Sequence, residues 1–369
     1  MSLRVLAADR NRAEWLAAWE RSRSREPFGH PDYCALFTAP GVTPLCAVRE
    51  PEAGGEGRAA LPGALFPFLL RELSTEPWTA DGEARRDVAV PAGYGGAFLF
   101  GDAPFVDPAS AAGYAAEFWD GFAAWSRRSG VVCADARISL YEDEILPMAG
   151  WTRTRSSDNV VVDIDRYRAH GGEGFSRSLR RNVRLAVRNG VRVEPDDSPE
   201  AFEAFLPLYH ETMDRRGAID YYRFSPRFFD GLKELVVKGL ARLFLGRGPD
   251  GTPLCGEVVL LGGTRAYAFL AGGDRTAHRL HANELVRSTI CSWLAGGHWN
   301  EFVLGGGNKP DDELFQYKLR FAPEGRRPYH VGAVIHAPNS YAELVRTRAA
   351  YQRSRGLPPH RARRFPEYR

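Results

Sequence analysis

Three stretches combine residue types that can do chemistry with spacings that could bring them together. In Ala92-Gly93-Tyr94-Gly95-Gly96, glycines flank an aromatic ring. The backbone can then approach a ligand closely while Tyr94 supplies a wall and a hydroxyl. The spacing suits a turn holding a packed tyrosine equally well. In Tyr209-x-x-Thr212-x-x-Arg215, Thr212 and Arg215 are neighbours on a helix face, so a hydroxyl and a guanidinium could converge on a phosphate or carboxylate. Arginines near a helix end would also complement its dipole. In Phe302-Val-Leu-Gly305-Gly306-Gly307-Asn308, a buried strand would end in glycines with exposed N–H groups. Leu314-Phe315-Gln316-Tyr317-Lys318 follows. Arginine is the default cation of this chain, and Lys318 is one of four lysines among 49 Lys and Arg, so a retained lysine is the more informative.

Other chemistries leave no signature. The sequence has no P-loop, no G-x-S-x-G, no H-E-x-x-H and no C-x-x-C. His278 and His281 lack a third ligand at zinc-like spacing, so no metal site is expected. Cys34, Cys46, Cys133, Cys255 and Cys291 are odd in number and scattered, which predicts reduced, buried thiols. No apolar run reaches the roughly 18 residues of a membrane span, and no signal-like core opens the chain. The expected compartment is the cytoplasm.

Net charge is +3, but it is unevenly spread. Residues 166–192 and 346–369 carry +7 each, leaving −11 on the remainder, an asymmetry that suits a polyanionic partner such as RNA or an acidic substrate. On a helix over 174–189, Arg177, Arg181, Arg184 and Arg188 form one stripe, with Leu179, Val183 and Ala186 opposite. Four like charges without an interleaved Glu repel, which an anionic ligand would relieve, although a solvated face also fits.

Periodicity and caps give the elements that must position these residues. Strands are predicted near 3–7, 43–49, 59–70, 96–100, 131–136 and 158–164, with helices near 11–24, 31–38 and 108–129 and a helical turn near 142–149. The order then repeats, with strands near 191–194, 241–246, 254–261, 265–271, 300–304 and 329–336. Helices of this half fall near 199–215, 226–238, 283–295, 311–320 and 340–354. Ser198-Pro199 and Ser225-Pro226 supply N-cap and first-position residues for two of them. The predicted organisation is a first domain over 1–165, a basic joining helix over 166–190, a second domain over 191–340 and a C-terminal helix with basic tail over 341–369.

This paired order, the Gly-Tyr-Gly-Gly loop, the arginine-rich helix with Asn182, the Tyr-x-x-Thr-x-x-Arg motif and the glycines followed by Tyr317-Lys318 together resemble the Fem-type (FemABX-like) transferases over nearly the whole chain. The resemblance implies an α/β (α+β) fold of two tandem GNAT-like domains, each a mixed, mostly antiparallel sheet flanked by helices. No heptad stretch long enough for a coiled-coil arm occurs. It implies an aminoacyltransferase that moves an amino acid from aminoacyl-tRNA to an amine of a peptide or cell-wall precursor, with no bound cofactor. Lys318 would stabilise the oxyanion, and Asp102 is the candidate base. Tyr94, Gly95, Thr212, Arg215, Tyr222 and Tyr317 would bind substrate, and Arg177, Arg181, Arg184 and Arg188 would meet the tRNA.

The rival enzyme is an acyl-CoA-dependent N-acyltransferase of the GNAT superfamily. Such enzymes place a glycine-rich pyrophosphate loop at the start of the helix after the fourth strand. Here that stretch is Arg279-Leu-His-Ala-Asn283-Glu-Leu, without glycine. A non-catalytic RNA-binding protein would account for the basic segments but not for the tandem order or Lys318.

Overall fold

The computed structural model describes residues 3–55, 59–215, 223–358 and 365–369. The chain divides into two compact units, one formed by Met1–Ser156 with Tyr329–Arg369 and the other by Ser157–Pro328.

In the first unit β1 (Arg4–Ala7), α1 (Arg12–Glu20), α2 (Pro31–Ala35), β2 (Val42–Arg49), β3 (Gly63–Glu72), β4 (Arg86–Ala89), β5 (Phe98–Phe100), α3 (Pro108–Arg128) and β6 (Val131–Arg137) follow in order. Asp107 caps α3 by accepting from the Ser110 N–H, Pro108 occupies its first position, and Gly130 ends it at φ +69°. Strand β7 (Thr152–Asp163) carries the chain onward.

The second unit continues with α4 (Ile164–His170), α5 (Arg177–Arg188), β8 (Arg192–Pro195), α6 (Pro199–Arg215), α7 (Pro226–Val237), β9 (Ala241–Arg247), β10 (Pro253–Leu261) and β11 (Arg265–Gly273). Then come α8 (Arg275–Arg279), α9 (Ala282–Ala295), β12 (Glu301–Gly305) and α10 (Glu313–Leu319). Strand β13 (Arg326–Ile335) and α11 (Pro338–Ser354) return the chain to the first unit.

Each unit is built on the same plan. In the first, β1, β2, β3 and β4 pair antiparallel in order, β5 pairs with β3, and β4 pairs parallel to β6 through the α3 crossover. In the second, β8, β9, β10 and β11 pair antiparallel, and β11 pairs parallel to β12 through α8 and α9. Two like units and two parallel crossovers give the mixed, mostly antiparallel sheets that the resemblance implies.

The closing strand of each sheet comes from the other half of the sequence. Residues 160–163 of β7 pair antiparallel with β12 in the second unit, and residues 331–335 of β13 pair antiparallel with β6 in the first. The expected boundaries at 165 and 340 describe chain order, whereas the compact units divide at 156/157 and 328/329. Periodicity locates a strand but carries no information about its partner.

Aromatic packing fills the first core: Phe66 meets Trp119 and Phe122 edge-on, with centroids 5.1 and 5.2 Å apart. Aliphatics and Phe244, Phe302 and Phe315 fill the second. Gly272 lets α6 lie directly on β11, since a Cβ there would meet the Tyr209 backbone N and Cα at 2.5 Å. Backbone cannot swing aside as a side chain can. Gly272→Ala should therefore cost at least the 1–3 kcal/mol of an overpacked core, read as a lower urea midpoint.

The first unit also buries a charge network. Asp87 on β4 is fully buried and accepts from Arg71 Nε and Arg369 Nε at 2.7 Å each, and from the Tyr368 hydroxyl at 3.2 Å. Burial alone would raise this carboxyl, but Arg71 and Arg369 outweigh it and hold its pKa below the ordinary value. Its contribution to stability is full above about pH 3.9 and is lost as pH falls through the lower native value. Asp135, pushed up mainly by burial, acts in the opposite sense: it opposes the native state once ionised. The Asp135→Asn protein should thus gain stability at neutral pH relative to wild type, as checked by urea titration at pH 7 and pH 4.

Candidate functional site

The end of β12 brings the glycines of the third motif beside Lys318. Gly305 turns the strand at φ +73°, and the Lys318 ammonium on α10 donates to the Gly306 carbonyl at 2.6 Å. Asp312 fixes the intervening loop by accepting from Asn308 N, Lys309 N and Phe315 N at 2.7, 3.0 and 2.9 Å. Burial works against this carboxylate, but those N–H groups hold its pKa down. A Cβ at Gly307 would collide with the Asp312 carboxylate, which explains that glycine. The N–H groups of Asn308 and Lys309, just past the glycines, are thus spent on Asp312. Those of Gly306 and Gly307 donate to no group among the described residues.

One residue beside this strand end escaped sequence reasoning. Asn159 on β7 is 4% exposed, its Oδ1 lies 3.3 Å from where a Gly306 Cβ would stand, and its buried Nδ2 has no partner among the described residues. An ammonium and two backbone N–H groups therefore stand at one strand end. Such a set can bind developing negative charge on oxygen.

Thr212 and Arg215 do converge, but on backbone. Gly273 at the end of β11 donates its N–H to Thr212 Oγ1 at 2.9 Å, and its carbonyl accepts from Thr212 Oγ1 at 3.0 Å and Arg215 Nη2 at 2.8 Å. Arg215 Nη1 reaches Glu211 at 3.0 Å. The pair clamps α6 to a strand end, and the 33% exposure of Arg215 leaves part of the guanidinium open. Tyr222 lies outside the described residues.

Tyr317 precedes Lys318 on α10, and its hydroxyl has no hydrogen-bond partner among the described residues. Burial pushes its pKa up.

In the first unit, Tyr94 packs edge-on against Phe28 and Tyr329, with centroids 5.3 and 5.7 Å apart, and burial pushes its hydroxyl pKa up. Gly95 donates to Arg137 O at 2.6 Å and accepts from Ser139 N at 2.8 Å, so both its backbone groups are engaged. A Cβ there would meet Val90 at 2.8 Å. These glycines are explained by packing. Asp102 follows β5 with its carboxylate exposed and in no ion pair among the described residues, while its carbonyl accepts from Arg23.

Helix α5 has the two faces expected of it. Ser176 caps it, Leu179, Asn182 and Ala186 are buried, and Arg177, Arg181, Arg184 and Arg188 are exposed. Arg180 joins them, and none of the five has an ion-pair partner among the described residues.

Both helix starts after β11 carry a carboxylate, though only that of α8 is capped by one. Asp274 caps α8 by accepting from Ala277 N at 2.6 Å, and Glu284, 8% exposed, stands in the first turn of α9. A carboxylate in the first turn of a helix opposes binding of a pyrophosphate there.

Among the described residues no cluster of metal ligands occurs, and no helix is long and apolar enough to cross a membrane. All five cysteines are buried and free.

The fold is that of tandem GNAT-like proteins, and residues 174–319 match a family model described as an acetyltransferase (GNAT) domain. The chain shares its architecture with the crystal structure of FemX, at TM-score 0.64 and 14% identity over 93% of this chain and 99% of that one. The C-terminal domain of a putative lysylphosphatidylglycerol synthetase from Agrobacterium fabrum aligns at TM-score 0.53 and 14% identity, over 87% of this chain and 92% of that one. L-PGS from Bacillus licheniformis gives 0.54 and 12%, over 89% and 92%. No curated protein matches the chain in sequence.

Proposed function

We propose that the protein is an acyltransferase of the aminoacyl class, moving an amino acid from aminoacyl-tRNA to an amine of a peptide or cell-wall precursor. The observation that carries this reading is the α5 face, where five exposed arginines stand without carboxylate partners among the described residues. A polyanion relieves their repulsion, and RNA phosphates are such a partner. The architecture shared with FemX and with lysylphosphatidylglycerol synthetases agrees with it.

Aminolysis of an ester needs little from the protein beyond positioning and charge stabilisation. The neutral amine attacks the ester carbonyl, the C–N bond forms, the C–O bond breaks, and the proton shed by the nitrogen passes to the departing ribose oxygen. The Lys318 ammonium, held at Gly306, together with the Gly306 and Gly307 N–H groups, answers the oxyanion between those steps. Arg215, whose guanidinium is partly open, is a proposed acceptor contact.

The family description over 174–319 favours one second reading, transfer from an acyl-CoA thioester. The carboxylates at the starts of α8 and α9 oppose it. Binding of bulk tRNA separates the two. Affinity should fall steeply with salt, and replacing Arg181, Arg184 and Arg188 together by alanine should reduce the slope of log K against log salt by roughly 0.9 for each phosphate that is no longer neutralised. A salt slope unchanged in the triple variant removes the α5 face from the interface.

A further inference from the structure

We propose that a buried polar cluster in the second unit is a binding site for an α-amino-acid moiety, with the amine against Asn182 and Glu284 and the carbonyl oxygen against Tyr317, Arg287 and Arg320. The proposal deepens the aminoacyl-transfer reading and rests on it only for identifying that moiety as the one carried by the donor ester.

The cluster is continuous. Asn182 on α5 donates its Nδ2 to Glu284 Oε1 on α9 at 3.1 Å, and the same oxygen lies 3.6 Å from His281 Nδ1 and 4.0 Å from Arg320 Nη1. Glu257 on β10 takes Arg287 Nε on its two oxygens at 3.2 and 2.9 Å. The Arg287 and Arg320 guanidinium carbons stand 5.3 and 5.9 Å from the Tyr317 ring centroid. Asn182, Glu284 and Arg287 are each 8% exposed and Glu257 is 3% exposed.

Yet four buried polar atoms here have no partner among the described residues: Arg287 Nη1, Arg320 Nε, the Tyr317 hydroxyl and Asn182 Oδ1. Each orphan is costly on its own, and four in one cluster define the outline of a missing ligand. Three of them can donate and one accepts, so the ligand must offer an accepting oxygen and, separately, a donor. Two guanidiniums balance two carboxylates, so the site has no net charge to attract a phosphate or a free cation. A dipolar group with an amine on one atom and a carbonyl on the next satisfies both requirements, and that is the α-aminoacyl unit. Arg320 and His281, each 29% exposed, form the open edge through which it would enter.

The test is calorimetric titration of the full-length protein with the twenty l-α-amino acid amides, which keep the amine and carbonyl of the ester but carry no carboxylate. Expected is saturable binding of at least one amide tighter than about 10 mM, weakened at least tenfold when the α-amine is removed from the amide. Tyr317→Phe and Asn182→Leu should each weaken it by a similar factor. Tyr317→Phe should leave the thermal midpoint unchanged or raised, because the hydroxyl has no partner to lose among the described residues. Absence of binding by every amide, or binding that survives both substitutions, overturns the site. Amide binding here with transfer only from a thioester would defeat the tRNA reading and leave the site standing. Transfer from aminoacyl-tRNA with no amide binding would do the reverse.

Discussion

Alanine at Lys318 should lower the transfer rate about 10²–10³-fold, the usual cost of removing one group that stabilises an oxyanion. That is about 2.7–4 kcal/mol of transition-state stabilisation, and the folded state loses somewhat less. The ammonium makes a 2.6 Å bond to a half-buried carbonyl, and loss of a charged hydrogen bond costs about 1.5–3 kcal/mol. For a unit of this size that is several degrees in thermal midpoint. Turnover and midpoint measured on the same preparation separate the two roles: a large fall in kcat beside a small thermal shift supports the electrostatic role. A rate loss no greater than the stability loss would reduce Lys318 to a clamp on the glycine loop.

The second large effect concerns stability. Asp87→Asn should destabilise the first unit by about 3–5 kcal/mol, because it strands Arg71 and Arg369 beside a neutral group in a buried setting. Arg71 retains a 3.4 Å approach to Asp135, and Arg369 Nη1 keeps Glu76 at 2.6 Å, which places the cost at the lower end of that range. The thermal midpoint should drop by roughly 10 °C. A further signature is in acid: the variant should lack the stability that wild type loses below about pH 3.9. Equal acid sensitivity in both proteins would place the titrating group elsewhere.

The elements of the fold were largely legible because caps and periodicity are local. Ser225-Pro226 and Gly239 bound α7 as expected, and Asp107-Pro108 opens α3. Strand β4 was hidden because it begins Arg86-Asp87, and a fully buried aspartate looks like loop until its partners Arg71 and Arg369 are known. The exchange of β7 and β13 was hidden for the same reason, since pairing is not a local property.

The site divides along the same line. Lys318, the glycine turn and the arginine face of α5 could be read from residue type and spacing. That Thr212 and Arg215 would meet the Gly273 backbone could not, because nothing in their own helix announces which strand end it crosses. Asn159 and the cluster around Asn182, Glu284 and Arg287 come from separate elements. Their only sequence trace is a polar residue on an otherwise apolar face, as Asn182 is between Leu179 and Ala186.

The central claim is that the donor is an aminoacyl ester on RNA. Purified protein would be incubated with a radiolabelled aminoacyl-tRNA pool and, separately, with labelled acetyl-CoA, each beside an extract of small amines and cell-wall precursors. The account predicts label transfer from the RNA pool that RNase abolishes and that Lys318→Ala reduces about 10²–10³-fold. Transfer from acetyl-CoA alone would contradict it and return the α5 arginines to a solvated surface.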